Sequence, residues 1–303
     1  MTFNIKRWIF PIGILCIWTV FMFINNYFGL YLNNWQIAVA MLLGSFVAGS
    51  TSVGGGTVGY PVLVLLFSVS PILARDFSLF VQSIGMTMAM FAIIFSKQEI
   101  KWGIILKSLF TGILGLHIGF KIVGLFPPSY LKMTFAVIWA SFLIHMLFTR
   151  KKNEEETIEP NMKYKNMLIY AFGFLGGIAS GLVGSGIDML IFIVLTQRFR
   201  YSYKTALTTS IAVMALLSIY GTTFRIGVDG ALGNKELLDM WLVCIPIVSF
   251  GAPLGTVVVK KYSDKLLKYI LYTVIIAEIV ISHIVIKKNA TLLHMSLFYF
   301  HSF

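Results

Sequence analysis

The chain has 303 residues, of which 58% are hydrophobic and only 12% are charged, and its formal net charge is +12. A soluble globular domain carries about a quarter of its residues as Asp, Glu, Lys or Arg, so this composition excludes a soluble fold and predicts an all-α integral membrane protein. The basic residues lie between apolar runs, which is typical of topology signals, and no nucleic-acid partner is expected. Cys16 and Cys244 form no CxxC motif, so no metal, cofactor or disulfide framework is predicted.

The first predicted element is an N-terminal membrane helix at 9–27. Lys6 and Arg7 precede an apolar run that extends from Trp8 to about Ile24. This run is long for a signal peptide, and no small-x-small cleavage site follows it. We therefore expect it to remain in the protein and to span the bilayer.

A glycine-broken apolar segment, "AGSTSVGGGTVGYPVL", comes next. Each glycine costs a helix interior about 1 kcal/mol relative to alanine, and glycine accepts a positive φ without steric penalty. Pro61 suits the first turn of a new helix. We expect a helix at 44–53, an unwound tip and a second helix at 58–67, each about 15 Å long, which is half of the hydrocarbon thickness.

A second segment of the same kind, "GGIASGLVGSGIDMLIF", begins at Gly176 after a charged linker at 150–165. Setting Gly54 against Gly184 also matches Ser50 with Ser180. The sequence is therefore expected to contain two repeats. Three whole helices follow each broken segment, at about 77–96, 103–123 and 131–149, then 205–222, 238–259 and 266–286. The predicted division is an N-terminal helix and loop at 1–36, repeat 1 at 37–149, the linker, repeat 2 at 166–286 and an interfacial tail at 287–303.

The distribution of Lys and Arg predicts how the broken segments lie in the membrane. If both segments crossed it, the 24 basic residues would divide evenly between the two sides. If both are re-entrant, one side collects most of them, which the positive-inside bias favours. Re-entrance leaves an odd number of crossings in each repeat, so the halves become inverted repeats with a site near the midplane. The N-terminus and the central loop are then cytoplasmic.

The broken tips are predicted to hold a small anion. Backbone N–H groups at the start of a helix, together with its dipole, bind anions without a basic side chain. Close helix packing through small residues is the alternative explanation of the glycines. The predicted substrate-binding residues are Thr51, Ser52, Gly54, Gly55, Gly56, Thr57, Pro61, Gln82, Ser83, Ser180, Gly184, Ser185, Gly186, Thr208 and Ser210.

Both broken segments, with "GLHIG" from Gly115 and "GAPLG" from Gly251, resemble the TauE/SafE sulfite exporter family of bacterial permeases over about residues 38–286. The resemblance implies a multi-pass plasma-membrane protein, such as one of a bacterial inner membrane. It also implies transport, usually outward, of small oxidised-sulfur or related organic anions. The second segment departs from the family pattern at Ser185 and Ile191, where glycine and proline are common, and Asp188 stands where the first half has Val58.

Two carboxylates within apolar runs are candidates for proton coupling. Charged side chains are costly in the hydrocarbon region and are commonly functional there. Asp188 would carry a proton or gate the site, or alternatively would cap the helix that begins beside it. Glu278 would carry a proton, or alternatively would pair with a neighbouring helix or lie near water.

Three functions remain open from the sequence. The leading one is a secondary, non-enzymatic carrier of a small anion, and an anion channel is the alternative. An intramembrane serine hydrolase that uses Ser185 is a weaker possibility because the rhomboid-type Gly-x-Ser-Gly motif is absent. The expected partners are the small anionic substrate and the lipid bilayer, and the sequence does not indicate an oligomeric state.

Overall fold

The computed structural model describes residues 5–51, 59–127 and 162–263, with a few further residues at 130–131, at 137 and between 265 and 280. Regular structure in these ranges is helical, and seven of the described helices are long and apolar enough to cross a membrane. The all-α polytopic fold is confirmed. Much of the predicted helices at 131–149 and 266–286 lies outside the described residues.

Eight α-helices make up the described fold. They are α1 Ile9–Ile24, α2 Leu30–Ser50, α3 Pro71–Phe95, α4 Trp102–Val123, α5 Met162–Val183, α6 Ile187–Ile193, α7 Tyr203–Gly227 and α8 Lys235–Lys261. Helix α3 begins six residues before its predicted start because the Ser70 hydroxyl accepts a hydrogen bond from the Leu73 N–H, with Pro71 in the first turn. This earlier start places Arg75 and Asp76 inside the helix.

The arms of the first broken segment are unequal, which corrects the prediction of two ten-residue arms. Helix α2 has 21 residues and ends at Ser50, because no helix breaker precedes the glycines as far back as Leu30. After the tip, the chain turns back beside α2. A Cβ built on Gly59 would lie 3.3 Å from the Met41 sulfur, in the middle of α2. We call residues 30–69 the first hairpin.

The second broken segment returns to the end from which it started. Lys165, near the start of α5, donates to the Tyr201 hydroxyl at 3.0 Å, and Arg198 donates to the Tyr164 hydroxyl at 3.1 Å. Ile187, at the start of α6, packs against Gly176 of α5. Residues 162–201, called the second hairpin below, therefore enter and leave at one end of the bundle. That the halves are inverted relative to each other stays a prediction.

Both hairpins end in the same series of local structures. A π-helical turn, Val62–Leu66 in the first and Val194–Arg198 in the second, is followed by a residue at positive φ, Ser68 or Arg200. The backbone hydrogen bond from Val69 N–H to the Leu63 carbonyl has its counterpart from Tyr201 to Leu195. A capping serine, Ser70 or Ser202, then starts the next long helix. This duplication supports the internal repeat read from the sequence.

Helices α3 and α7 form the centre of the bundle, and most of their residues are buried. They pack on each other, while α2 packs on α8 and α5 packs on α4. The last two pairs approach closely through small residues, as membrane helices do. A Cβ on Gly119 of α4 would lie 2.5 Å from the Ile178 carbonyl oxygen of α5, and a Cβ on Gly255 of α8 would overlap the Phe46 carbonyl oxygen of α2. The "GLHIG" and "GAPLG" motifs are therefore helix-packing motifs.

Candidate functional site

The tip of the second hairpin, Gly184-Ser185-Gly186, requires glycine for two reasons. Gly184 has φ of +83° and Gly186 has φ of +141°, which are conformations that L-residues rarely adopt. In addition, a Cβ on Gly184 would lie 2.5 Å from the Ser78 Cβ and 2.7 Å from the Arg75 carbonyl oxygen of α3. The break predicted from sequence is present, and it presses against the central helix.

Side chains of the hairpin itself occupy two of the tip's backbone donors. The Asp188 carboxylate accepts a hydrogen bond from the Gly186 N–H at 3.2 Å, and the Ser180 hydroxyl accepts one from the Ile187 N–H at 3.2 Å. The sequence predicts that a bound anion accepts the backbone donors at this tip. In this conformation Asp188, which lies in the first turn of α6, accepts the N–H of Gly186, and Gly186 itself is the N-cap residue of the helix.

Two buried polar atoms beside the tip have no hydrogen-bond partner within the described part of the chain. They are the Ser185 hydroxyl and the Gln82 carbonyl oxygen, on residues only 2% and 1% exposed. The Gln82 amide nitrogen donates to the Gly184 carbonyl at 2.7 Å, so Gln82 is anchored to the tip by one end. An unsatisfied buried polar group costs about 1–3 kcal/mol, which favours a role for both atoms in holding a ligand.

A buried charged cluster lies beside the same tip and was missed by the sequence analysis. The Arg75 guanidinium bonds to the Asp76 carboxylate at 2.8 Å and contacts the Gly181 carbonyl oxygen at 3.4 Å. Arg225 of α7 bonds to the other Asp76 oxygen at 2.7 Å, and the Phe120 ring lies 4.8 Å from the Arg75 guanidinium carbon. Arg225 also pairs with Asp229, so two arginines and two carboxylates form one partly buried ionic network next to the glycine break.

The sequence contained a signal for this cluster. Arg75 and Asp76 lie one helical turn after the helix-start pair Ser70 and Pro71, so a cap-based start of α3 would have placed both charges within the helix. The predicted helix was instead placed over the uncharged run at about 77–96, which left both charged residues outside it. The pairing of Asp76 with Arg225 has no local signal because the two residues are 149 positions apart.

Other predicted site residues lie apart from this tip or make ordinary helix contacts. The Thr208 hydroxyl donates to the Glu99 carbonyl, which fastens the α3–α4 loop to α7, and the Ser83 and Ser210 hydroxyls donate to carbonyls of their own helices. Thr51 likewise donates to Val47 at 2.8 Å. Pro61 is buried and lies in the helical residues that directly precede the first π-helical turn. Ser52, Gly54, Gly55, Gly56, Thr57 and Glu278 lie outside the described residues.

The hydrolase possibility requires a histidine base within hydrogen-bond reach of Ser185. His117, on α4, has its Nε2 atom 2.6 Å from the Tyr220 hydroxyl of α7. The Ser185 hydroxyl makes no such contact with any residue that the structure describes. The described geometry therefore supports a ligand contact for Ser185 better than an activated nucleophile.

Next to Gln82, a small cavity separates the first hairpin from α3 and α8. Its volume is about 10 Å³, and Met41, Ser45 and Val248 are among the residues that line it. A cavity of this size has room for about one water molecule. An oxyanion of several heavy atoms cannot enter it unless the helices move.

An ion pair lies in the loop between α3 and α4, at the end of the bundle where the second hairpin begins and ends. Glu99 and Lys101 approach to 2.6 Å. The hydrogen bonds that Glu99 accepts from Lys101 and Thr205 hold the pKa of its carboxyl below the usual range, and the same pairing raises the pKa of Lys101. Both groups are therefore charged at neutral pH.

Comparison with known proteins identifies one family. The family model described as sulfite exporter TauE/SafE matches residues 37–280, which is more than three quarters of the chain. The matched range includes the second hairpin, the first hairpin from residue 37 onward, the charged cluster and the glycine-packed helices. No curated protein and no solved structure matches the chain.

Proposed function

Because the chain belongs to the TauE/SafE sulfite exporter family, we propose that it is a secondary carrier that exports small sulfur oxyanions, such as sulfite or organosulfonates, and holds them at the tip of the second hairpin. Family membership and seven apolar helices make it a multi-pass membrane transporter of the anion-exporter type. The observation that supports the site best is the buried, unsatisfied Ser185 hydroxyl beside a tip that also contacts Arg75. An inside-negative potential of 100 mV favours export of a monoanion by about 2.3 kcal/mol.

Asp188 gives the proposed site a means of coupling to protons. Its carboxylate already accepts the Gly186 N–H, so a substrate anion competes with it for the same donor. Two negative groups at one buried donor repel each other, and protonation of Asp188 removes that repulsion. The charged groups of the described structure nearest this region are Arg75 and Asp76 of α3, Arg225 of α7 and Asp229, which follows α7 and pairs with Arg225. Anion binding at the tip is therefore expected to strengthen when Asp188 takes up a proton.

The packing beside Gln82 agrees with a carrier that closes over its site. The cavity there admits about one water, so a sulfite-sized anion would enter this region only after the helices move. The second hairpin is attached to α3 by glycine contacts, the Gln82–Gly184 hydrogen bond and the Arg75–Gly181 contact, all of which would have to change in such a movement. Single-channel recording in a planar bilayer separates the alternatives, since a channel gives discrete current steps and a carrier gives none.

The proposed orientation follows from the charges at one end of the bundle. The end that carries Lys101, Lys165 and Arg198 is assigned to the cytoplasm of a bacterial inner membrane by the positive-inside bias. Cysteines introduced at Lys204 and at Lys235, near opposite ends of the bundle, test this assignment. A membrane-impermeant maleimide added to intact cells is expected to label position 235 and not position 204.

Sulfite efflux from proteoliposomes is the direct test of the function. Vesicles that contain the purified protein are expected to release sulfite faster than empty vesicles, and an inside-negative potential set with K⁺ and valinomycin should accelerate release. Replacing Arg75 by Gln removes a charged contact worth about 1.5–3 kcal/mol, so efflux should fall about 10-fold or more. Lys121→Gln, an exposed change on α4, is the matched control. Protein-dependent efflux of none of sulfite, thiosulfate and sulfoacetate would overturn the proposal.

Two further measurements address coupling and enzymatic activity. Asp188→Asn should keep efflux but remove its dependence on an imposed pH gradient, and an unchanged dependence would exclude the coupling role. A fluorophosphonate probe labels activated serines, so labelling that is lost in Ser185→Ala would favour the hydrolase alternative over the carrier.

A further inference from the structure

A second cavity, lined in part by polar side chains, lies where the two arms of the second hairpin begin and end, away from its tip. It has a volume of about 330 Å³ and lies between the start of α4, the start of α5 and the loop after the second π-helical turn. We call it the basic cleft and define it by five of its lining residues, which are Lys101, Lys107, Lys165, Asn166 and Tyr201. Its volume falls within the range of ordinary small-ligand sites.

The three lysines of the basic cleft are held mainly by neutral oxygens. The Lys107 ammonium donates to the Asn166 side-chain oxygen at 2.7 Å, and the Lys165 ammonium donates to the Tyr201 hydroxyl at 3.0 Å. Lys101 pairs with Glu99, whose side chain is 58% exposed. Among the residues that the structure describes, these three half-buried ammonium groups have one carboxylate partner, that of the well-exposed Glu99.

We propose that the basic cleft binds an oxyanion carrying sulfur or phosphorus and captures it at the entrance to the second hairpin. Half-buried lysines repel one another, and a bound anion removes that repulsion while accepting their remaining N–H groups. Lysine ammoniums present point charges with rotatable donors, which suits an oxyanion whose oxygens are arranged around one central atom. That the captured anion goes on to the tip rests on the proposed function, whereas binding in the cleft does not.

The position of the cleft explains what capture would do. Lys165 lies near the start of the ascending arm of the hairpin and Tyr201 follows its descending arm, so a bound anion bridges the two arms where they meet. A cleft lined by one sign of charge raises the local anion concentration and the association rate, by about 10- to 1000-fold at low salt. The effect is screened beyond about 8 Å at physiological ionic strength. Capture should therefore be most visible as a salt-dependent KM.

Binding is tested without transport. The purified protein in phosphatidylcholine nanodiscs is titrated with sodium sulfate, a stable oxyanion probe, against sodium chloride at the same ionic strength. The thermal unfolding midpoint is expected to rise saturably with sulfate, and the Lys107→Gln/Lys165→Gln double variant should lose most of the rise. Lys163→Gln removes one charge from an exposed position on the same turn of α5, outside the cleft, and is the matched control for the Lys165→Gln half of that change.

A lipid headgroup supplies the same chemistry as a free oxyanion, and a second arm separates the two. The titration is repeated in nanodiscs that contain phosphatidylglycerol. If the wild-type midpoint starts higher and sulfate adds nothing, the cleft is an oxyanion site filled by lipid, and the capture role is overturned. If phosphatidylglycerol leaves the sulfate response unchanged, a soluble anion is the occupant and the capture role is supported.

Transport kinetics then distinguish failure of this inference from failure of the proposed function. Lys165→Gln is expected to raise the KM for sulfite about 3- to 10-fold at low salt with an unchanged maximal rate, and Lys165→Arg should restore it. If the chain transports no anion, the proposed function fails while the sulfate titration still reports on the cleft. The inference is overturned if wild-type protein shows no saturable sulfate effect, a result that does not depend on how any variant folds. It is also overturned if the folded double variant and the Lys163→Gln variant both show the same sulfate-dependent rise in unfolding midpoint as the wild type.

Discussion

Glycine has two different roles in this structure. One set of glycines lies between α4 and α5 and allows these helices to pack, and the other set lies at the tip of the second hairpin. Gly115 and Gly177 have helical backbones, and a Cβ on either would overlap a carbonyl oxygen of the other helix. Gly184 and Gly186 have positive φ, and Gly184 lies against the buried Arg75 and Ser78 of α3. The first set brings two helices together, while the second set ends one helix inside the protein.

The difference between the two regions teaches how to recognise a site among packing motifs. The helix-packing region has its polar groups satisfied, for example Ser108, whose hydroxyl donates to the Ile104 carbonyl at 2.9 Å. At the tip, the Ser185 hydroxyl and the Gln82 oxygen are buried without a partner among the described residues, and a charged cluster lies alongside. Unsatisfied polarity, rather than glycine content, distinguishes the region that we propose binds the anion.

The largest expected effect is the loss of folding when a helix-packing glycine is replaced. A Val side chain at Gly177 would overlap the Gly112 backbone, which cannot move without separating α4 from α5, so we expect a loss of about 3 kcal/mol or more. Gly124→Val is the control because nothing described lies within 4 Å of a Cβ there. Thermal unfolding in detergent measures both, and equal midpoints would show that the two helices are not in tight contact.

A smaller loss of stability, joined to a loss of transport, is expected at the tip. Gly184→Ala places a Cβ against Ser78 and forces a positive φ on alanine, which together should cost about 2 kcal/mol. Gly230→Ala separates the two causes, because Gly230 also has a positive φ but open space around it in the described structure. We expect only Gly184→Ala to abolish sulfite efflux. A Gly230 variant that lost transport equally would point to backbone strain anywhere in the chain and not to the tip.

Two buried serines, one in each of the two regions, allow the most direct comparison. Ser185→Ala removes a buried hydroxyl with no described partner, so stability should stay the same or rise by up to about 3 kcal/mol while sulfite affinity falls about 10-fold. Ser108→Ala removes a satisfied hydroxyl of the helix-packing region, so it should lower stability by about 1 kcal/mol and leave affinity unchanged. Efflux measured over a range of sulfite concentrations, together with unfolding midpoints, gives both quantities. The reverse pattern would place the ligand elsewhere.

The smallest effect is expected from the exposed ion pair at the hairpin base. Because the pKa of Glu99 is lowered in the folded protein, its contribution is present above the ordinary glutamate pKa of 4.5 and is lost as the pH falls through the folded value. When the pH is lowered from 6 to below 4.5, the unfolding midpoint of the wild type should therefore fall slightly more than that of Glu99→Gln. Solvent screening keeps the difference small because Glu99 is well exposed. If the unfolding midpoints of the two proteins change equally with pH, this ion pair contributes nothing to stability.

Much of the architecture was predictable because it depends on local chemistry. The helices at 103–123, 205–222 and 238–259 were located to within a few residues, since an apolar run must satisfy its backbone within a helix in lipid. The break at Gly184 and Gly186 followed from glycine's conformational freedom. The unequal arms of the first hairpin did not follow, because hydropathy alone does not show where along an uninterrupted apolar run a helix begins.

The sequence by itself determined that this is a multi-pass helical membrane protein with two glycine-broken segments and a resemblance to an exporter family, because hydropathy, helix breaking and motif spacing are properties of neighbouring residues. The tertiary structure decided which glycines pack and which turn, that Asp188 accepts the Gly186 N–H, and that Asp76 joins Arg75 to Arg225 next to the tip. These relations join positions up to 149 residues apart. They arise only when remote helices pack, since burial then forces each polar group to find a partner in space and not along the chain.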